Sequence, residues 1–153
     1  ISSAIETENN NYYVQMREQG FADFLKVEYP QIEIVSRVES FEDPQITYEK
    51  TVQLLAEQPD LRGIYITCGG VAQVGRALIE SGRSRDIRVL CYEDYPEIVE
   101  LMRQGVVDWT LGGEKDEQGA LPVKLIMDQL VFGRKPAQDQ IFTETRILVK
   151  ECL

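Results

Sequence analysis

Short runs of strand-forming residues alternate along this chain with longer stretches whose apolar positions fall three or four apart. Residues 1–5 make a weak apolar run, closed by a polar turn at 6–11. Tyr13, Met16, Gly20, Phe24 and Val27 then lie along one face of a predicted helix that reaches about Glu28 and stops at Tyr29-Pro30. Residues 32–38 alternate and are β-branched, which predicts a strand. Asp43 precedes Pro44 as an N-cap precedes a proline in the first helical position, and Tyr48, Val52, Leu55 and Ala56 supply the buried stripe as far as Glu57. A turn at 58–62 leads to a strand at 63–67. Gly69-Gly70 opens a helix that ends at Gly82, with Val71, Val74, Gly75 and Leu78 inside.

A strand at 87–92 follows, and Pro96 and Gly105 bracket a helix that buries Ile98, Val99, Leu101 and Met102. Residues 106–111 predict a fifth strand, broken by Gly112-Gly113. The last helix covers about 117–132, with Pro122 in its first turns or kinking it. A loop at 133–136 ends it, and 141–150 reads as a closing strand. Strands and helices alternating through short loops predict an α/β fold of three layers. It is a doubly wound, mostly parallel sheet with helices on both faces.

At 153 residues the chain is the size of one domain with a real core. Its formal charge of -10 argues against this polypeptide gripping a phosphate backbone. It has no histidine, which removes Ser-His-Asp and Cys-His catalysis and every His-ligated metal. Cys68, Cys91 and Cys152 are odd in number and irregularly spaced, so a reducing compartment fits better than a disulfide framework. No run is long and apolar enough to span a membrane. The first residue is Ile1, and the chain is read as a piece of something longer.

Parallel sheets present ligand groups at the carboxyl ends of their strands. The groups there are Glu6-Thr7-Glu8, Phe41, Cys68-Gly69-Gly70, Glu93-Asp94 and Gly112-Gly113-Glu114. Glu93 and Asp94 could bind hydroxyls, hold Mg²⁺ or do acid–base work. Asp94, two residues before Pro96, is preferred as a helix cap; for Glu93, spacing leaves binding and solvation equally open. Cys68 and Cys91 have no cationic neighbour in sequence and read as inert small hydrophobes. Gly69-Gly70 lacks a phosphate-loop pattern and reads as a tight turn. Trp109 reads as core, and Arg17, by default, as a solvated charge.

The order of these pieces resembles the effector-binding domain of the LacI/GalR transcriptional regulators, which shares its fold with periplasmic sugar-binding proteins. Arg17-Glu18-Gln19-Gly20-Phe21 is similar to the family's R-x-x-G-F, and Gln58-Pro59-Asp60-Leu61-Arg62-Gly63-Ile64 to its entry into a strand. Val89-Leu90-Cys91-Tyr92-Glu93-Asp94-Tyr95-Pro96 resembles "vvGFDdtP". Gly105-Val106-Val107-Asp108 with Glu117-Gln118-Gly119, and the ending Ile147-Leu148-Val149-Lys150-Glu151, resemble the remaining motifs. The resemblance implies one lobe of a periplasmic-binding-protein type I fold. Residues 1–153 would be the C-terminal lobe, with 115–140 crossing towards an N-terminal lobe that is absent, as is the DNA-binding headpiece. The helix around 121–130 would then lack its partner, and should dock on a neighbouring copy or be poorly ordered.

The resemblance also implies a site. Arg17 takes the place of the arginine that grips a sugar, and Glu93 that of an aspartate accepting sugar hydroxyls. Phe41 stands near an aromatic that packs on the ring, Tyr13 lies one turn before Arg17, and Cys68 and Gly69 close the third strand. Arg17 and Glu93 should meet each other or a polar ligand, since an unpaired buried charge costs roughly 3–5 kcal/mol. Three departures stand out: Gly69-Gly70 replaces Asn-Asp, Gly113 replaces a polar residue, and Glu93 replaces the shorter aspartate.

The function implied is non-catalytic sensing of a sugar-like effector in a cytoplasmic transcription regulator. The regulator would be a homodimer that touches DNA only through the missing headpiece and has no membrane contact, cofactor or metal. The isolated lobe should bind weakly. The alternatives are a periplasmic sugar-binding protein or receptor sensor, and a Mg²⁺-dependent phosphoryl-transfer enzyme using Glu93 and Asp94 with Lys150.

Overall fold

In a computed structural model the backbone is described for residues 2–7 and 12–153, and side chains for 12–153. Residues 1 and 8–11 lie outside the described residues, and with them Glu8 and most of the turn expected at 6–11. Strands β1 (Ser2–Thr7), β2 (Glu33–Glu39) and β3 (Leu61–Ile66) alternate with helices α1 (Tyr12–Glu28) and α2 (Pro44–Glu57). Then come α3 (Val71–Glu80), β4 (Arg88–Tyr92), α4 (Pro96–Arg103), β5 (Trp109–Gly113), α5 (Lys115–Phe132) and β6 (Thr145–Val149). The strands form one sheet in the order β2-β1-β3-β4-β5-β6. The first five run parallel, and β6 closes the sheet antiparallel to β5. This is the α/β, mostly parallel architecture expected from the alternation of patterns.

Neighbouring positions of β3 face opposite layers. Ile64 and Ile66 enter a core with Leu54 and Leu55 of α2, Val74 and Leu78 of α3, and Ile98 and Met102 of α4. Tyr65 points the other way and stacks on Phe21 of α1 at 4.3 Å. Each fully buried aliphatic side chain in such a core contributes roughly 1.5–3 kcal/mol. The α3 stripe (Val71, Val74, Gly75, Leu78) is buried as its spacing predicts. At Gly75 an added Cβ would come within 2.7 Å of Leu101, so α3 and α4 pack through that glycine.

Two helix faces differ from the reading of the pattern. In α1 the stripe Tyr13, Met16, Phe24, Val27 is exposed, while Val14 and Leu25 are buried and Phe21 is half-buried. The helix carries two apolar faces, and sequence spacing does not say which one meets the sheet. In α2 the inner face is Thr47, Thr51, Leu54 and Leu55, whereas Val52 and Ala56 are exposed. The two threonines tolerate burial because their hydroxyls donate to the Asp43 and Thr47 carbonyls one turn back.

Gly112-Gly113 does not break β5. Both pair with β6, opposite Arg146 and Thr145, and the strand starts later than expected, at Trp109. Trp109 itself is 42% exposed on the sheet face that α1 leaves open, so it is not core. In α5 no residue is buried: Val123, Ile126, Met127 and Leu130 are all more than half exposed, and the helix does not pack on its own sheet. Among the described residues, no helix is long and apolar enough to cross a membrane.

Candidate ligand-binding site

A cleft of about 550 Å³ opens at the carboxyl end of the parallel strands, a volume suited to a small polar molecule. Its walls come from α1 (Tyr13, Arg17), the loop after β2 (Glu42), the loop after β3 (Cys68, Gly69, Gly70) and the end of β4 (Tyr92, Glu93, Tyr95). Five of the six residues expected from sequence therefore share one cleft. Phe41, the sixth, is 56% exposed beside it and does not line it.

Arg17 is held from three sides. Its Nη1 donates to the Thr67 carbonyl at 2.8 Å, and its guanidinium lies 3.7 Å over the Tyr92 ring and 5.9 Å from that of Tyr13. A guanidinium on an aromatic face is held by about 0.5–2 kcal/mol. Tyr92 is fixed in turn, because its hydroxyl shares a 2.7 Å hydrogen bond with that of Tyr65. Burial, reinforced by this bond, pushes the Tyr65 phenol far above its usual range, so it stays protonated. Arg17 and Phe21 lie four apart on α1 and dock on two tyrosines of adjacent strands. Neither tyrosine was given a site role in the sequence reading; the visible signal was that both sit on the strand face opposite Ile64 and Val89.

Glu93, the residue directly after β4, lies in the left-handed region, φ 74°. That conformation is unusual for a glutamate and costs about 1–2 kcal/mol. Both of its peptide groups are tied to β5: its N–H donates to the Leu111 carbonyl at 2.9 Å, and its carbonyl accepts from the buried Thr110 hydroxyl. The side chain does not pair with Arg17. Its Oε2 is 3.7 Å from Lys115 Nζ, at the start of α5.

Asp94 is not a helix cap. Tyr95 occupies the cap position of α4 without a side-chain hydrogen bond, and Asp94, one residue too early, bonds Lys115 instead. Asp43, directly before Pro44, does cap α2 by accepting from Ile46 N–H at 2.9 Å. The lysine beside the acidic pair is thus Lys115 and not Lys150. Donating to the Asp94 carboxylate raises the Lys115 ammonium pKa, and that ammonium also lies 4.2 Å over the Tyr95 ring. Lys115 thus forms an ion pair with Asp94 and stands close to Glu93.

The remaining expectations divide. Cys68 is half-buried in the cleft wall. Cys91 lies in the core, and burial pushes its thiol up to about 11, consistent with an inert role. Glu42 was missed altogether. It lies at φ 57°, and its Oε1 accepts from the Gly69 N–H at 3.0 Å. A Cβ at Gly113 would stand 2.7 Å from the Gln118 amide, a flexible side-chain end that packs over this glycine.

The sequence matches the model of the periplasmic binding protein domain over residues 4–135. The chain belongs to this family. Among curated proteins no sequence match was found. Solved structures are similar over nearly the whole of this chain. The chain superposes with TM-score 0.88 and 27% identity on GanP, a glucose-galactose binding protein from Geobacillus stearothermophilus, covering 99% of this chain and 54% of that one. It is also similar to a sugar-binding protein of a sugar ABC transporter from Bacillus halodurans (TM-score 0.85, 22% identity, 98% and 55% covered). A third is a carbohydrate-transporter solute-binding protein from Agrobacterium radiobacter, solved with D-arabinose (TM-score 0.87, 17% identity, 98% and 51% covered). The last two likenesses concern the fold. The chain spans about half the length of each of these structures.

Proposed function

We propose that this chain is one lobe of a sugar-binding protein that delivers or senses a monosaccharide, without catalysis. The observation that carries the reading is Arg17, held over Tyr92 and on the Thr67 carbonyl so that its charge faces a cleft shared with Glu93. Guanidinium donors and a carboxylate acceptor on one cleft complement the vicinal hydroxyls of a sugar, through charge-assisted hydrogen bonds about twice as strong as neutral ones. Kinship with the glucose-galactose binding protein supports the ligand class. The exposed apolar residues of α5 fit a second lobe that would close over the ligand.

The regulator reading, with a homodimer, DNA contact through a headpiece and a cytoplasmic setting, is kept as a second proposal. It rests on the motifs around Arg17 and Glu93, which fit regulators and transport proteins alike; the transport-type relatives favour the first. Titration calorimetry of the full-length protein with D-glucose, D-galactose and D-arabinose tests the site. At least one should bind, and Arg17→Ala and Glu93→Gln should each weaken it by about tenfold or more. Unchanged binding in both variants would dismiss the assignment.

A further inference from the structure

The third strand ends in Gly69-Gly70, so the cleft floor carries no polar side chain of its own there. The space is taken by a residue from another loop. After β2 the chain turns through two consecutive left-handed residues, Phe41 (φ 54°) and Glu42 (φ 57°), before Asp43 caps α2. Two strained non-glycine residues in succession persist only where surrounding bonds hold them, and such strain collects at ligand sites. The turn lays the Glu42 carboxylate across Gly69. One oxygen accepts from the Gly69 N–H, and a Cβ at Gly69 would stand 3.2 Å from it. A side chain at 69 would crowd the Glu42 carboxylate and oblige it to shift by a few tenths of an ångström.

We propose that Glu42 is a second carboxylate anchor for the ligand, and that with Glu93 it makes the cleft exclude acidic sugars. The inference rests on the sugar-binding reading and narrows it to uncharged ligands. Among the described lining residues the carboxylates are Glu42, Glu93 and Glu97, against the single cation Arg17. Lys115 offsets part of the Glu93 charge, but nothing cationic is bonded to Glu42, whose partner is a peptide N–H. The unused lone pairs of Glu42 accept sugar hydroxyls and repel a uronate carboxylate.

The test is calorimetry on the full-length protein with D-glucose and D-galactose, each beside its uronate, comparing wild type, Glu42→Gln and Glu42→Asp. Wild type should bind the tighter neutral sugar at least about tenfold better than its uronate. Glu42→Gln should weaken the neutral sugar by about tenfold and narrow that gap. Glu42→Asp keeps the charge and suits the left-handed turn, so it should retain the gap. Wild-type behaviour in Glu42→Gln overturns this inference and leaves the sugar reading standing, provided Arg17→Ala still loses binding. No neutral monosaccharide binding by wild type overturns both.

Discussion

At the level of single residues, the cleft is built from groups held in costly conformations by backbone bonds. Glu93 is the clearest case. Its left-handed φ of 74° would suit glycine, yet its N–H and carbonyl are both locked to β5. Replacing it by glycine removes the steric cost and adds unfolded-state entropy, two effects of similar size and opposite sign. Glu93→Gly should therefore leave stability within about 1 kcal/mol of wild type while sugar binding is lost. Chemical denaturation measures the first and calorimetry the second; a large loss of stability would show that the carboxylate serves the fold instead of a ligand. Arg17 and Glu93 were legible in sequence because motifs flagged them. Glu42 and Lys115 were not, because Glu42 meets Gly69 and Lys115 meets Glu93 and Asp94 only through contacts distant in sequence. Asp94 was misassigned because a cap and an ion-pair partner differ by one residue of register.

At the level of elements, spacing located the helices and strands but not always the face they bury. In α3 and α4 a single apolar stripe leaves one solution, and Val74, Leu78, Ile98 and Met102 are buried as the pattern requires. In α1 two stripes compete, and in α2 threonines bonded to their own helix take positions assigned to Val52 and Ala56. The connection between α2 and β3 shows a further device no periodicity reveals. Arg83, after α3, donates to the carbonyls of Leu55, Gln58, Pro59 and Leu61 at 2.8–3.2 Å. Its guanidinium thus satisfies a helix end, a turn and the start of β3 together. Removing a charged donor from several carbonyls costs roughly 2–3 kcal/mol, so Arg83→Ala should lower stability by that amount in urea melts. Arg83→Lys should recover only part of it, since an ammonium lacks the planar fork. A loss under about 0.5 kcal/mol would show the carbonyls to be served equally well by water.

For the whole molecule, the alternation of strand and helix patterns made the parallel sheet legible, and the carboxyl-end rule pointed to the cleft before any coordinates. The net charge of -10 disfavours a phosphate-backbone grip by this polypeptide, and a chain without histidine has no histidine-based catalysis. The choice between transport and regulation was not legible, because the motifs report a shared lobe and not what accompanies it. The apolar, unburied α5 fits a lobe that completes its packing elsewhere, and the proposed ligand would lie where the two meet.

The central claim is that a neutral sugar lies between the Arg17 guanidinium and the Glu93 carboxylate. A crystal structure of the full-length protein with its tightest-binding monosaccharide tests it most directly. The account predicts ring hydroxyls within hydrogen-bond distance of both side chains, with Arg17 still resting on Tyr92. A sugar bound elsewhere, or in this cleft without touching either residue, would contradict it.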